Sequence, residues 1–199
     1  FSIARFCTMY FGKPSPPGRE GLVVGVERHT RFIDRTDVET AVYFSDGAGA
    51  AVLGLVEDGA GLKASAFYTD PANFESVRLD STEAKIVQNG LATWRQAITH
   101  LPTTLRRACA KAGVEPGEVD LVVFHQANLN MIRYLMRKMR LPEDATFTNV
   151  QEIGNTGAAS VGIALSQAVQ EGRVEKGDTV VLAAVGAGFT FGASVWTWA

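Results

Sequence analysis

The sequence predicts an α/β fold, in which buried strands alternate with amphipathic helices. Short runs rich in Val, Leu and Ala alternate with segments of helical periodicity, as in layered α/β proteins. Two of these runs, LVVF (121–124) and TVVLAAV (179–185), are short and rich in β-branched residues, which is typical of strands buried on both faces. Apolar residues also recur at three- and four-residue steps through residues 91–112, which indicates a helix.

Six segments have the composition of strands. In chain order they are LVVGV (22–26), AVYFS (41–45), AAVLGLV (50–56), GLKASAFY (61–68), LVVF (121–124) and TVVLAAV (179–185). Helices are predicted over residues 91–112, 129–139 and about 158–169. Pro102 should kink or divide the first of them, because proline cannot donate the backbone hydrogen bond of a helix interior. The segment GKPSPPGREG (12–21) is expected to be a loop.

Composition and charge exclude several classes of function. The 199 residues carry a net charge of -2, so bulk charge favours neither a nucleic acid nor a membrane surface as partner. No apolar run has the length of a membrane span, and we expect a cytoplasmic protein. Two cysteines and three scattered histidines form neither a disulfide framework nor a metal-binding spacing. No metal or other cofactor is therefore expected.

Two glycine-rich stretches could bring backbone N–H groups to a ligand. DGAGAAVLG (46–54) is followed by a strand-like run and not by a helix, so a tight structural turn is favoured over a nucleotide-binding loop. GAGFTFG (186–192) lies between two apolar runs and is expected to be a hairpin or a crossover. Ala187, flanked by two glycines, could there present its N–H to a ligand oxygen, or the stretch could be a simple turn.

His125 and Asn155 are the candidate polar groups of a catalytic site. His125 opens HQAN directly after a predicted buried strand, and ligands of open α/β sheets bind beyond the carboxyl ends of strands. Asn155 lies in EIGNTGAAS (152–160), between two glycines and before a helix of small residues. If the two side chains converge, each can donate a hydrogen bond to one oxygen and so stabilise an enolate or a tetrahedral oxyanion.

The four motifs DGAGAAVLG, FHQAN, GNTGAAS and GAGFTFG, in this order and at these separations, resemble the β-ketoacyl-acyl carrier protein synthase III family of the thiolase superfamily. The similarity runs from about Gly21 to the end of the chain. It implies a five-layer αβαβα fold and a dimer. It also implies that residues 1–80 are the remainder of the N-terminal half, with the nucleophile segment, and that residues 81–199 form the C-terminal half.

The resemblance implies a catalytic set of Cys7, His125 and Asn155. Cys7 ends FSIARFC, which is similar to the family's approach to its nucleophile, and the backbone N–H groups of Cys7 and Ala187 match the family's oxyanion hole. The interval after Cys7 is about ten residues shorter than the family's and contains KPSPPG, which no helix can traverse. Cys109, at a core-spaced helical position, is expected to be a buried structural thiol.

Two further positions depart from the family pattern. Val38 stands where relatives often carry an arginine for coenzyme A, and Arg35 could substitute. Asn130 stands where an arginine for the carrier protein is common, but Arg133, Arg137 and Arg140 follow on the same predicted helix, beside Lys138. This stripe is either a solvated face or a docking surface for an acidic acyl carrier protein. We assign His29 and His100 no role.

The resemblance implies a decarboxylating Claisen condensation of an acyl thioester with malonyl-acyl carrier protein through an acyl-Cys intermediate. The substrates would be acyl-CoA and acyl carrier protein thioesters. Two alternatives stay open: acyl transfer to an alcohol or amine in secondary metabolism, and a non-catalytic partner subunit of a heterodimeric ketosynthase. The length and branching of the acyl chain stay open, as does the choice between fatty acid and polyketide biosynthesis.

Overall fold

The protein is described by a computed structural model that covers residues 21–80 and 82–199. The strands are β1 (Gly21–Glu27), β2 (Gly47–Leu53), β3 (Gly61–Thr69), β4 (Val77–Asp80), β5 (Lys85–Gln88), β6 (Leu121–Phe124), β7 (Thr179–Gly186) and β8 (Thr190–Thr197). The helices are α1 (Val38–Ala41), α2 (Gly90–Ala112), α3 (Leu129–Met139), α4 (Val150–Ile153) and α5 (Ser160–Gln170). Within these ranges, no helix combines the length and the apolar character that crossing a membrane requires.

The central sheet has four strands in the order β3–β8–β7–β6. β6 and β7 are parallel, and the other two neighbouring pairs are antiparallel. Every residue of β6 is buried, which confirms the strand predicted from LVVF. Leu121 and Val123 face one side of the sheet, whereas Val122 and Phe124 face the other, so the continuous apolar run serves two cores.

Four layers of secondary structure follow one another in space. Helices α2 and α3 cover one face of the central sheet, and α5 covers the other. The antiparallel pair β1–β2 packs against the opposite side of α5. The succession α, β, α, β corresponds to four layers of the predicted αβαβα arrangement. The sheet also crosses the predicted boundary at residue 80, because β3, which precedes this boundary, pairs with β8, which follows it.

The predicted strand over AVYFS is wrong. The side chain of Asp37 accepts hydrogen bonds from the backbone of Glu39 and Thr40, and this cap starts the short helix α1, which includes Ala41. The rest of the segment is a turn, and Phe44 forms only an isolated bridge with Asn155.

The tight turn expected from DGAGAAVLG is also wrong, because Gly47 and Gly49 lie inside β2. β2 runs from Gly47 to Leu53, so it begins and ends three residues earlier than the strand predicted over 50–56. A Cβ on Gly47 would lie 2.8 Å from Thr156, and one on Gly49 would lie 3.2 Å from the carbonyl oxygen of Ala159. The missing side chains therefore let residues 156–163 lie directly on the sheet.

Helix α2 is not divided at Pro102, which is buried within it. Proline leaves the carbonyl group four residues earlier, on Ile98, without its helical donor. Lys138 supplies the replacement, since its Nζ donates to the Ile98 oxygen at 2.7 Å. The remaining predicted helices are confirmed as α3 and α5, and GAGFTFG forms the β7–β8 hairpin.

Candidate active site

His125 directly follows the carboxyl end of β6 and is held on both sides. Its backbone N–H donates to the Ala183 oxygen at 2.7 Å, and its Nδ1 lies 2.6 Å from Oγ of Ser160. The next residue, Gln126, is fully buried: its amide donates to the Phe124 oxygen at 2.7 Å and accepts from the Asn149 N–H at 3.0 Å. This network fixes the HQAN turn and, with it, the imidazole.

The surroundings of His125 favour an uncharged imidazole. Burial lowers the pKa of His125 to about 4, and the nearby His29 acts in the same direction. The ring is thus neutral near pH 7 and carries one proton. Because Nδ1 is paired with Ser160, Nε2 is the nitrogen left for the cavity that the residue lines.

Asn155 is anchored by its backbone and by one side-chain atom. Its N–H donates to the Tyr43 oxygen at 2.8 Å, and its carbonyl oxygen accepts from the Ser45 N–H at 3.0 Å. The side-chain Oδ1 accepts from the Gly157 N–H at 2.9 Å. With Oδ1 occupied in this way, Nδ2 is a donor without a partner among the described residues, on a side chain that lines the same cavity as His125.

The cavity has a volume of about 1720 Å³ and lies at the carboxyl ends of β6 and β7. His125, Asn155 and Ala187 all line it, as do Gly186 and Phe189. The structure therefore brings together three of the four residues predicted to form the site. Throughout residues 21–80 and 82–199, no group of three His, Cys, Asp or Glu side chains is placed to hold a metal ion.

Ala187 lies in the turn of the β7–β8 hairpin. Asp70 and Phe189 exchange two backbone hydrogen bonds of 2.8 Å, which fasten the hairpin to the end of β3. The N–H of Ala187 has no hydrogen-bond partner in the part of the chain that the structure describes, so it is available to a ligand oxygen. Its role in an oxyanion hole stays a prediction.

The predicted nucleophile, Cys7, lies outside the described residues, as does nearly all of the loop predicted over 12–21. Cys109 is fully buried on α2, as predicted, and burial raises the pKa of its thiol. The catalytic role of Cys7 therefore stays a prediction.

The basic residues predicted to bind a carrier protein lie at the surface. Arg133 and Arg137 are exposed on α3, and Arg140 ends that helix in a left-handed conformation. None of the three forms an ion pair with a described carboxylate. Arg35 and Val38 are both exposed, and of these only Val38 lines the cavity.

Two residues that support the site, His29 and Ser160, were not predicted from the sequence. Nδ1 of His29 lies 3.2 Å from the Ser45 oxygen and 3.3 Å from the Asn155 oxygen, so it braces the loop that carries Asn155. Its Nε2 lies 3.6 Å from Glu27, whose other oxygen accepts from the Ala158 N–H at 3.3 Å. No local pattern links residue 29 to residue 155. Ser160, by contrast, belongs to the GNTGAAS motif.

Two family models match the chain. One, described as 3-oxoacyl-[acyl-carrier-protein (ACP)] synthase III, matches residues 17–71, and the other, its C-terminal domain, matches residues 109–198. The β-ketoacyl-[acyl-carrier-protein] synthase III of Aquifex aeolicus is 38% identical over 172 residues, which are 86% of this chain and 55% of the relative. The enzyme of the same name from Rhizorhabdus wittichii is 38% identical over 180 residues, covering 87% of this chain and 56% of the relative.

The fold has a solved counterpart. The crystal structure of 3-oxoacyl-[acyl-carrier-protein] synthase III from Aquifex aeolicus superimposes with a TM-score of 0.87 at 37% identity, covering 90% of this chain and 58% of that one. The chain thus spans little more than half the length of the relatives it matches. It belongs to the β-ketoacyl-acyl carrier protein synthase III family of the thiolase superfamily and has that family's α/β fold.

Proposed function

We propose that the protein catalyses a decarboxylating condensation between an acyl thioester and malonyl-acyl carrier protein. The observation that carries this proposal is the pair of donors, His125 and Asn155, that line one cavity. Each has one side-chain atom tied to the protein, which leaves the other nitrogen for a substrate oxygen. The family membership and the names of the relatives support the same reaction.

The proposed reaction has two stages. The thiolate of Cys7 attacks the acyl thioester carbonyl and forms a new C–S bond, while the C–S bond to the donor breaks and the donor leaves as a thiolate. The malonyl thioester then loses carbon dioxide, and the resulting enolate attacks the acyl-Cys carbonyl and releases the Cys7 thiolate. His125 and Asn155 hydrogen-bond the enolate oxygen, whereas the N–H groups of Ala187 and Cys7 hold the oxyanion on the acyl carbon.

The uncharged state of His125 suits this role. A neutral imidazole with its proton on Nε2 can donate to a thioester oxygen without transferring the proton outright. Such donors stabilise developing negative charge most strongly when they are held rigid before the reaction begins, and removing one typically costs about 10²–10³ in rate.

The partner is proposed to be an acyl carrier protein, with acyl-CoA or another acyl thioester as the first substrate. A carrier-protein surface that binds this basic stripe should be acidic, and neither Arg133 nor Arg137 forms an ion pair with a described carboxylate.

We propose further that the chain pairs with a second copy, which sedimentation analysis would test.

Release of carbon dioxide from malonyl-acyl carrier protein tests the proposed function. His125→Ala and Asn155→Ala should each lower the rate by about 10²–10³. His100→Ala and Gln151→Ala serve as matched controls, because neither side chain lines the cavity. Undiminished release in both site variants would contradict the proposal.

Alkylation of Cys7 tests the nucleophile separately. Iodoacetamide should label Cys7 in the folded protein faster than Cys109, which is buried, and prior incubation with an acyl thioester should protect it. Peptide mass mapping identifies the labelled residue. An unreactive Cys7 with unchanged fold would favour the non-catalytic partner subunit instead.

A further inference from the structure

The Ser160 hydroxyl is the sole described partner of the Nδ1 atom of His125. Ser160 is the first residue of α5 and is 1% exposed. Its Oγ also lies 3.3 Å from the backbone nitrogen of Gln126. A backbone N–H can only donate, so the Ser160 oxygen accepts one hydrogen bond from Gln126 whatever the state of the histidine.

Two arrangements of the shared proton are then possible. If Nδ1 carried the imidazole proton, the Ser160 oxygen would accept from two N–H groups, and its own hydrogen would be buried without an acceptor among the described residues. Leaving a buried donor unpaired is unfavourable. If the hydroxyl donates to Nδ1 instead, every group is satisfied, and the imidazole proton lies on Nε2.

We propose that Ser160 is a positioning residue, which donates its hydroxyl proton to Nδ1 of His125 and thereby holds the imidazole in the tautomer protonated on Nε2. This tautomer presents an N–H to the cavity, whereas the other would present a lone pair and repel a substrate oxyanion. The inference deepens the proposed function and rests on it for its catalytic consequence, but the tautomer itself can be measured without substrate.

Nitrogen-15 NMR of the full chain provides that measurement. The chain has three histidines, so the ring nitrogens give three sets of signals, and the set lost in His125→Gln belongs to His125. At pH 7 we expect the pattern of a neutral ring with its proton on Nε2. A wild-type spectrum with the proton on Nδ1 would overturn the inference, and this result needs no variant to fold.

Ser160→Ala tests the cause of the preference. Without the hydroxyl, the His125 signals should shift toward a mixture of the two tautomers, and Ser160→Thr, which keeps a hydroxyl, should retain the wild-type pattern. Ser166→Ala is the matched control, because Ser166 lies exposed on the same helix. A tautomer unchanged in folded Ser160→Ala would show that Ser160 does not set it.

Kinetics separate this inference from the proposed function. Ser160→Ala should lower kcat for carbon dioxide release by about tenfold, less than outright loss of a donor, with KM within about twofold of wild type. If the tautomer is as proposed but His125→Ala keeps full activity, the proposed function fails and the inference stands. If the tautomer is reversed, the inference fails whatever the activity.

Discussion

At the scale of single residues, the site is built from side chains with one atom fixed and another free. The backbone N–H of Gly157 donates to Oδ1 of Asn155, and the Ser160 hydroxyl is hydrogen-bonded to Nδ1 of His125. In the proposed reaction, the remaining nitrogens would therefore be oriented before a substrate binds and would need no reorganisation when charge develops.

The lowered pKa of His125 predicts a loss of stability in acid. The pKa is about 4 in the folded protein, against 6.5 for an ordinary histidine, so between these values the unfolded chain binds a proton that the folded chain does not. The contribution of His125 to the free energy of unfolding should be fully present above pH 6.5, and up to about 3 kcal/mol of it should be lost as the pH falls from 6.5 through 4.

Urea denaturation at a series of pH values measures this effect, with His125→Gln as the comparison. Glutamine does not titrate, so the variant should lose less stability than wild type between pH 6.5 and pH 4. Parallel curves for the two proteins would show that His125 titrates normally.

At the scale of elements, the N-terminal part of α5 and the turn before it lie directly on β1 and β2. Gly25 on β1 packs against the carbonyl oxygen of Ala158, and Gly47 on β2 packs against Thr156. Gly25→Ala should lower the free energy of unfolding by about 1–3 kcal/mol, because the new methyl group overlaps backbone atoms that cannot move aside.

Gly54→Ala is the matched control for that substitution. Among the residues that the structure describes, no atom lies within 4 Å of a Cβ placed on Gly54, so the effect of Gly54→Ala should stay within about 0.5 kcal/mol. Chemical denaturation measures both variants. Equal stabilities for Gly25→Ala and wild type would contradict the close packing of the turn before α5 on β1.

The contact between Lys138 and Ile98 predicts a coupling between α2 and α3. Lys138→Met should destabilise the protein by up to about 1 kcal/mol, because the Ile98 carbonyl loses its donor. In a Pro102→Ala background the restored backbone N–H should make the loss smaller. Arg137→Met, on the same helix, is the control, and a double-mutant cycle in urea gives the coupling. A coupling free energy of zero between Lys138→Met and Pro102→Ala would exclude the idea that Lys138 replaces the missing backbone donor.

The sequence predicted those elements whose pattern is local. LVVF and the periodic run over 129–139 were identified because burial there follows directly from residue order. AVYFS and DGAGAAVLG were misread, since a cap at Asp37 and close packing against residues 156–163 decide their structure. The motifs predicted that His125 and Asn155 converge, and both line one cavity, but the brace from His29 depends on contacts distant in sequence.

At the scale of the whole molecule, the candidate site lies between the central sheet and the β1–β2 pair. His125 comes from the central sheet, Asn155 is bridged to Phe44 just before β2, and Ser160 belongs to the helix between the sheets. The layered packing thus decides the spacing of the donors, which no single element could hold alone.

The proposed carrier-protein surface is also a property of the whole molecule. Reversing charge in the double variant Arg133→Glu, Arg137→Glu should raise KM for malonyl-acyl carrier protein by roughly tenfold at low salt and leave kcat unchanged. The difference should shrink as ionic strength rises. Arg106→Glu, an exposed change on α2, is the control. Equal KM values for all three proteins would place the docking surface elsewhere.

The central claim is that His125 and Asn155 donate to one and the same oxygen. A crystal structure of the chain with an unreactive malonyl thioester analogue tests it most directly. We expect the thioester oxygen to lie within about 3.2 Å of both Nε2 of His125 and Nδ2 of Asn155. An oxygen bound by only one of these nitrogens, with the other turned to a different part of the cavity, would contradict it.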